Sequence, residues 1–142
     1  MRRTALLLFA TLLLAGCQRP ATLSPVPGTA WPGGREFGST SVTESGAERP
    51  LVAGTRMTVR FGAPGELQVE AGCNQLGVRA RLDGERLVPY SYLSTAIGCA
   101  SELLDQDRWV VEFFNAGPAW RVDGDELTLR SGTTEIVLAA TR

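Results

Sequence analysis

Two cysteines, Cys73 and Cys99, constrain this chain more than any other feature. They bound a stretch that opens with Gly72-Cys73-Asn74, runs through two short alternating segments and closes with Thr95-Ala96-Ile97-Gly98-Cys99. Outside an N-terminal leader they are the only cysteines, and the expectation is that they bond to each other. Closing that loop is worth about 3.5 kcal/mol on chain-entropy grounds, against total domain stabilities of about 5–15 kcal/mol. A redox pair is the alternative. It lacks a C-x-x-C motif, and the chain has no histidine or lysine to depress a thiol pKa.

The leader sets the compartment. Residues 1–16 combine Arg2-Arg3, an apolar run from Ala5 to Leu14 and small Ala15-Gly16, the pattern of a secretory signal. The run is about half of what a helix needs to cross a bilayer. Leu14-Ala15-Gly16-Cys17 resembles a bacterial lipobox, which implies that Cys17 becomes the N-terminus and carries acyl chains. Two or more chains give stable attachment, so Cys17 is read as an anchor, with the membrane as one partner. Export also places Cys73 and Cys99 in an oxidising compartment. Residues 17–34 are read as the lipidated end and a flexible tether, with Pro20, Pro25, Pro27 and Pro32 favouring extended chain. Some fifteen such residues reach roughly 40 Å. Trp31 is the exception, the expected first residue to dock on the core.

Without Arg2 and Arg3 the chain keeps twelve arginines against fifteen carboxylates. That mild acidity argues against nucleic acid and against a polybasic membrane patch. The absence of histidine removes Ser-His and Cys-His couples and imidazole metal ligands. The absence of lysine removes Schiff-base chemistry.

From residue 35 to 142 the pattern is mostly period two. Met57, Val59 and Phe61, then Leu67, Val69 and Ala71, then Val78, Ala80 and Leu82 alternate with polar residues, as half-buried strands do. Asp83-Gly84, Asp123-Gly124 and Ser131-Gly132 are turn signals, the last two within a terminal hairpin or meander. Tyr90 and Tyr92 are expected on one face of a short piece. Ser101 to Asn115 reads as a helix, capped by Ser101 and stopped by Gly117-Pro118, with Leu103, Val110, Val111 and Phe114 as its apolar stripe.

This order of features resembles the META-domain family, the HslJ-like bacterial lipoproteins. The resemblance rests on Gly72-Cys73-Asn74, Gly77, the Gly84/Leu87 hairpin, Thr95 with Cys99, the helix around Trp109 to Phe114, Pro118, and Gly124-Asp125-Glu126-Leu127-Thr128-Leu129. Many members carry Arg-Met after the threonine, where this chain has Ala96-Ile97. The resemblance implies an α+β fold: a small antiparallel β-rich domain with one helix packed on the sheet. It implies envelope or secreted proteins, some linked to stress or antibiotic tolerance. It brings no catalytic residues.

Several residues invite a chemical reading. Gly72, Asn74 and Thr95 are read as a structural motif serving turn geometry and main-chain hydrogen bonds. Asp107 falls on the apolar stripe, where a carboxylate is costly unless paired. It is read as an acid satisfied by backbone N–H groups near the helix start or by an arginine, with a raised-pKa general acid as the alternative. Asp105 with Asp107, and Asp123-Gly124-Asp125-Glu126, lack the spacing of a calcium loop. Tyr90, Tyr92 and Trp120 either line a ligand groove or fill the core. No cofactor or metal is expected. The reading is a lipid-anchored envelope protein that binds or stabilises an unidentified envelope component or ligand without catalysis. A small-molecule or peptide carrier is the second reading, and a carboxylate-only hydrolase the third, which needs two facing acids.

Overall fold

Alternating burial generates most of the architecture. The computed structural model describes residues 30–141. Its elements run β1 (Glu36–Glu44), β2 (Ala47–Glu48), β3 (Thr58–Phe61), β4 (Glu66–Glu70), β5 (Gln75–Asp83), β6 (Arg86–Ser94), α1 (Ser101–Asn115), β7 (Ala119–Asp123), β8 (Glu126–Ser131) and β9 (Thr134–Ala140). Along β3, β4 and β5 every second residue is buried, so Val59, Phe61, Leu67, Val69, Leu76, Val78 and Ala80 line one side of a sheet. The segments read as leader and tether, with Cys17, lie outside the described residues as far as residue 29.

All strand pairings are antiparallel, in the order β2-β1-β3-β4-β5-β6-β7-β8-β9. β1 also pairs with β9 over seven residue pairs, so the sheet closes on itself into a barrel. Closure removes the open edges that a sheet of this size would otherwise expose. Three tight turns set the registers. Gly84, Gly124 and Gly132 take positive φ at the first position of the two-residue loops after β5, β7 and β8, as hairpin turns of this length require.

The barrel has one weak seam. β6 and β7 share a single register pair, Arg86 with Ala119. The helix leaves the far end of β6 and returns at Gly117, where an added Cβ would sit 2.8 Å from the Leu87 carbonyl oxygen. It thus bridges the stretch over which the two strands diverge, and Val110, Phe113 and Phe114 complete the core. Ser101 is the first helical residue rather than the cap. Ala100 occupies the cap position, with no side-chain bond.

Trp31 docks as expected. Its indole N–H donates to the Gly62 carbonyl at 3.0 Å, and its ring packs edge-on against Phe61 and Trp120.

Candidate functional site

The Gly72-Cys73-Asn74 turn between β4 and β5 is a dense polar centre. Cys73 and Cys99 are disulfide-bonded, with Cα atoms 6.4 Å apart, so the turn is tied to the residue two before α1. The Asn74 side chain works in both directions. Its Nδ2 donates to Asp107 Oδ2 at 2.9 Å. Its Oδ1 accepts from Thr95 Oγ1 at 2.9 Å and from the Ile97 N–H at 2.7 Å. Thr95 Oγ1 in turn accepts the Gln75 N–H at 3.0 Å. Gly72 makes the bend with φ of +130°, and an added Cβ would fall 2.7 Å from the Thr55 methyl. Only glycine fits there without strain.

Asp107 has a different partner from the one anticipated. Its Oδ2 accepts the main-chain N–H and the amide of Asn74, both at 2.9 Å, rather than donors at the helix start or an arginine. The helix is therefore bolted to the sheet through a turn that is distant in sequence. Sequence reasoning missed the residue beside it. Gln106 is 7% exposed and spans the interior gap between helix and barrel. Its Oε1 accepts the Val52 N–H at 2.6 Å, and its Nε2 donates to Thr55 Oγ1 at 2.9 Å and to the Ala71 carbonyl. Buried polar groups need such partners. A glutamine four residues before Val110 and seven before Phe113 was the available signal.

The aromatic candidates separate. Trp120 is 1% exposed and packs with Trp31 and Phe61, so its indole belongs to the core and not to a ligand site. The shallow depression outside β7 and β8 that touches it offers mainly polar groups such as Arg121, Thr128 and Arg130. Tyr90 and Tyr92 do not share a face. A β-bulge opposite Arg79 and Ala80 leaves Tyr90 unpaired in the ladder. Its ring lies against the exposed Arg81 guanidinium at 5.8 Å. Tyr92 pairs with buried Val78, and burial pushes its hydroxyl pKa up.

Tyr92 nonetheless borders an open groove of about 670 Å³ across the outside of β3 to β6. The registers place Arg60, Gln68, Gly77 and Leu93 in one transverse row across it. Gly77 has no side chain, which leaves a trough between Gln68 and Leu93. Leu93 was not singled out from sequence. The unbroken apolar character of Leu87-Val88-Pro89-Tyr90, resuming at Tyr92-Leu93, was the signal, because alternation fails there.

Several carboxylates in surface depressions are held by neighbours, whereas Glu85, Asp123 and Glu126 line the β7–β8 depression. Glu36 and Glu70 border one hollow of about 270 Å³. Two hydrogen bonds from Arg60, at 2.8 and 2.5 Å, hold the Glu36 carboxyl below its usual range, the wrong direction for a general acid. Glu70 accepts from Gln75 Nε2 at 2.5 Å, and Glu66 pairs with Arg79 at 3.3 Å. Asp105 pairs with Arg108 while Asp107 faces Asn74, so these two acids do not converge. No cluster of three metal-ligating side chains occurs among the described residues.

The family model of the META domain matches residues 33–142. The chain belongs to the META-domain family. Two solved structures are similar in fold. One is the NMR structure of a protein 18% identical, covering 75% of this chain and 88% of that one, with a TM-score of 0.56. The other is an NMR structure of a protein from Burkholderia xenovorans, 12% identical, covering 87% and 97%, with a TM-score of 0.61. At those identities the likeness is one of fold. No curated protein matches the chain. Within the META domain, the Gly72-Cys73-Asn74 motif and the Thr95/Cys99 segment thus form a structural bracket, with the disulfide, Asn74 and Asp107 joining turn, segment and helix.

Proposed function

We propose that this META-domain protein is anchored by lipid at Cys17 and acts in the cell envelope without catalysis, binding or stabilising an envelope component through a rigid outer surface. The observation that supports this is the division of labour between inside and outside. The barrel interior is filled by side chains from every long strand and the helix, and the polar centre at Asn74 is fully engaged in holding the fold. Recognition is then left to the outer surface, where the groove across β3 to β6 is bordered by exposed Tyr92 and Leu93. A photo-crosslinking residue at Ser91, in the groove, should capture an envelope component in intact cells, and one at Thr128 on β8 should not. Equal capture at both positions would remove the groove from the reading. A Cys17 thioether carrying a diacylglyceryl mass in the exported protein tests the anchor separately. A stress-related role adds one expectation: loss of the protein sensitises cells to heat or antibiotics, and the Cys17→Ser form fails to restore them.

A carrier function has one observation in its favour, the bordering of the groove by Tyr92 and Leu93. Saturable perturbation of the Leu93 methyl signals by a small apolar ligand, in the absence of any membrane or protein partner, would favour the carrier.

A further inference from the structure

Gly77 stands inside β5, paired with Gln68 on β4 and with Leu93 on β6. A glycine within a strand weakens it, and often marks a place where a ligand comes close to the backbone. The fold does not require this one. Its φ lies outside the left-handed region. An added Cβ would meet the Leu93 carbonyl oxygen at 3.5 Å and the Leu93 Cβ at 4.0 Å, ordinary van der Waals distances. Gly38, the other glycine within a strand, differs, because a Cβ there would collide with the Arg56 guanidinium. The bare floor at Gly77 therefore has its reason outside the barrel, in something that lies on it.

The rim of the groove selects the chemistry of that occupant. Its charged residues, Arg60, Glu66 and Arg79, are all in ion pairs: Arg60 with Glu36 at 2.5 Å, and Arg79 with Glu66 at 3.3 Å. No free charge is offered to an anion or a cation. The amide of Gln68 and the hydroxyl of Ser91 offer donors and acceptors together, as hydroxyl groups of a ligand need. Opposite Gln68 stands an apolar wall, Leu93, which is 80% exposed. The two walls are two strand spacings apart, about 10 Å. β3, β4 and β5 are each paired on both sides, so under the groove no open edge invites a peptide strand. We propose that the groove over Gly77 binds a neutral envelope glycan, with the C–H groups of one sugar ring against Gly77 and Leu93 and its hydroxyls on Gln68 and Ser91. A chain fits better than a single sugar, because the groove shares Arg60 and Gln68 with the adjoining hollow that Thr58 and Gln75 border. The inference rests on the groove reading above and names the class of component bound there.

The test uses the exported chain in phospholipid nanodiscs, with two probes: chitotetraose, and protein-free polysaccharide from the envelope of the producing cells. The expected result is a saturable shift of the Gly77 main-chain amide and the Gln68 side-chain amide in NMR spectra, unchanged by added salt. Gly77→Val fills the trough and should weaken binding by roughly tenfold or more. Gly77→Ala should keep the native circular dichroism and urea midpoint, since its Cβ has room. Gln68→Ala, at an exposed position, should weaken binding several-fold and carries the test if Gly77→Val does not fold. Binding by Gly77→Val or Gln68→Ala equal to that of the parent overturns the proposal. So does binding that salt abolishes, which assigns the groove to a charged ligand. Unfolding of Gly77→Ala overturns it as well, by returning the glycine to a structural role. No shift with either probe, alongside capture of a protein by the Ser91 photo-crosslinker, refutes the glycan and leaves the groove reading standing. Failure of both removes the two together.

Discussion

Asn74→Asp is the sharpest perturbation of the bracket, because it replaces one amide nitrogen by oxygen and reverses its interaction with Asp107. In the native protein Asn74 Nδ2 donates to Asp107 Oδ2 at 2.9 Å. In the variant an oxygen takes the place of that donor. Two effects add. The lost hydrogen bond to a charged acceptor is worth about 1.5–3 kcal/mol. Two unit charges about 4 Å apart, roughly the spacing of the two carboxylate centres, repel by about 1–4 kcal/mol between the aqueous and protein-surface dielectric limits. The contacts to Oδ1 survive, since an aspartate oxygen still accepts from Thr95 Oγ1 and the Ile97 N–H, while the longer Nδ2 contacts to Cys73 Sγ and the Ile97 carbonyl are lost with the donor. A loss of about 3 kcal/mol at neutral pH follows from these terms, with the two not fully additive.

The sign with pH separates repulsion from simple loss of a bond. In the folded variant the two carboxyls raise each other's affinity for a proton, so the pair titrates above its unfolded value. A raised folded pKa contributes stability that is fully present below the unfolded carboxylate range and disappears as pH rises through the folded value. The deficit of Asn74→Asp should therefore shrink between pH 7 and pH 4, because one proton bridging the oxygens restores a donor. Asn74→Ala removes the side-chain bonds to Asp107, Thr95 and Ile97 and adds no charge, so its deficit should change much less over that window. Urea unfolding followed by circular dichroism at both pH values measures each difference. An Asn74→Asp deficit that is flat with pH, or that parallels Asn74→Ala, would refute the assigned contact between Asn74 and Asp107.

Other consequences can be measured alongside. Cys73→Ser and Cys99→Ser should each destabilise by about 3.5 kcal/mol in the chain-entropy treatment and to the same extent as the double variant; unequal losses in urea unfolding would point to a role for one thiol apart from the bond. Gln106→Leu, close in size, strands the Val52 N–H and the Ala71 carbonyl and should cost about 2–4 kcal/mol, whereas a neutral result in thermal unfolding would mean that water or a shift of the 51–56 loop replaces the amide. Arg60→Gln should return the Glu36 titration, followed by carboxyl NMR, upward to the ordinary carboxylate range. The Glu36–Arg60 contact adds stability above the unfolded carboxylate pKa and loses it as pH falls through the lowered folded value, so the variant should lose less stability on acidification than the parent.

The parts of the fold that could be read from sequence are those whose cause is local. Period-two burial placed β3, β4 and β5 because each strand has one face in the core, and three glycine-containing turns placed the hairpins because a two-residue loop demands positive φ. Barrel closure was out of reach: β1 and β9 meet across the whole domain, and nothing in either segment encodes which strand lies beside it. The inverted relation of Tyr90 and Tyr92 has the same origin at smaller scale. A single unpaired residue switches every later side chain to the other face, and the one local hint is Pro89, which has no N–H to continue a ladder. Gln106 reads by polarity as an exposed residue, because a polar residue on an amphipathic helix ordinarily belongs to its outer face. Its partners are Val52 and Ala71, a loop N–H and a carbonyl just past β4, which need a donor and an acceptor wherever the helix covers them. Asp107 and Gln106 together reverse the usual inference. On this helix the polar residues specify where it sits, and the apolar ones supply much of the reason that it stays.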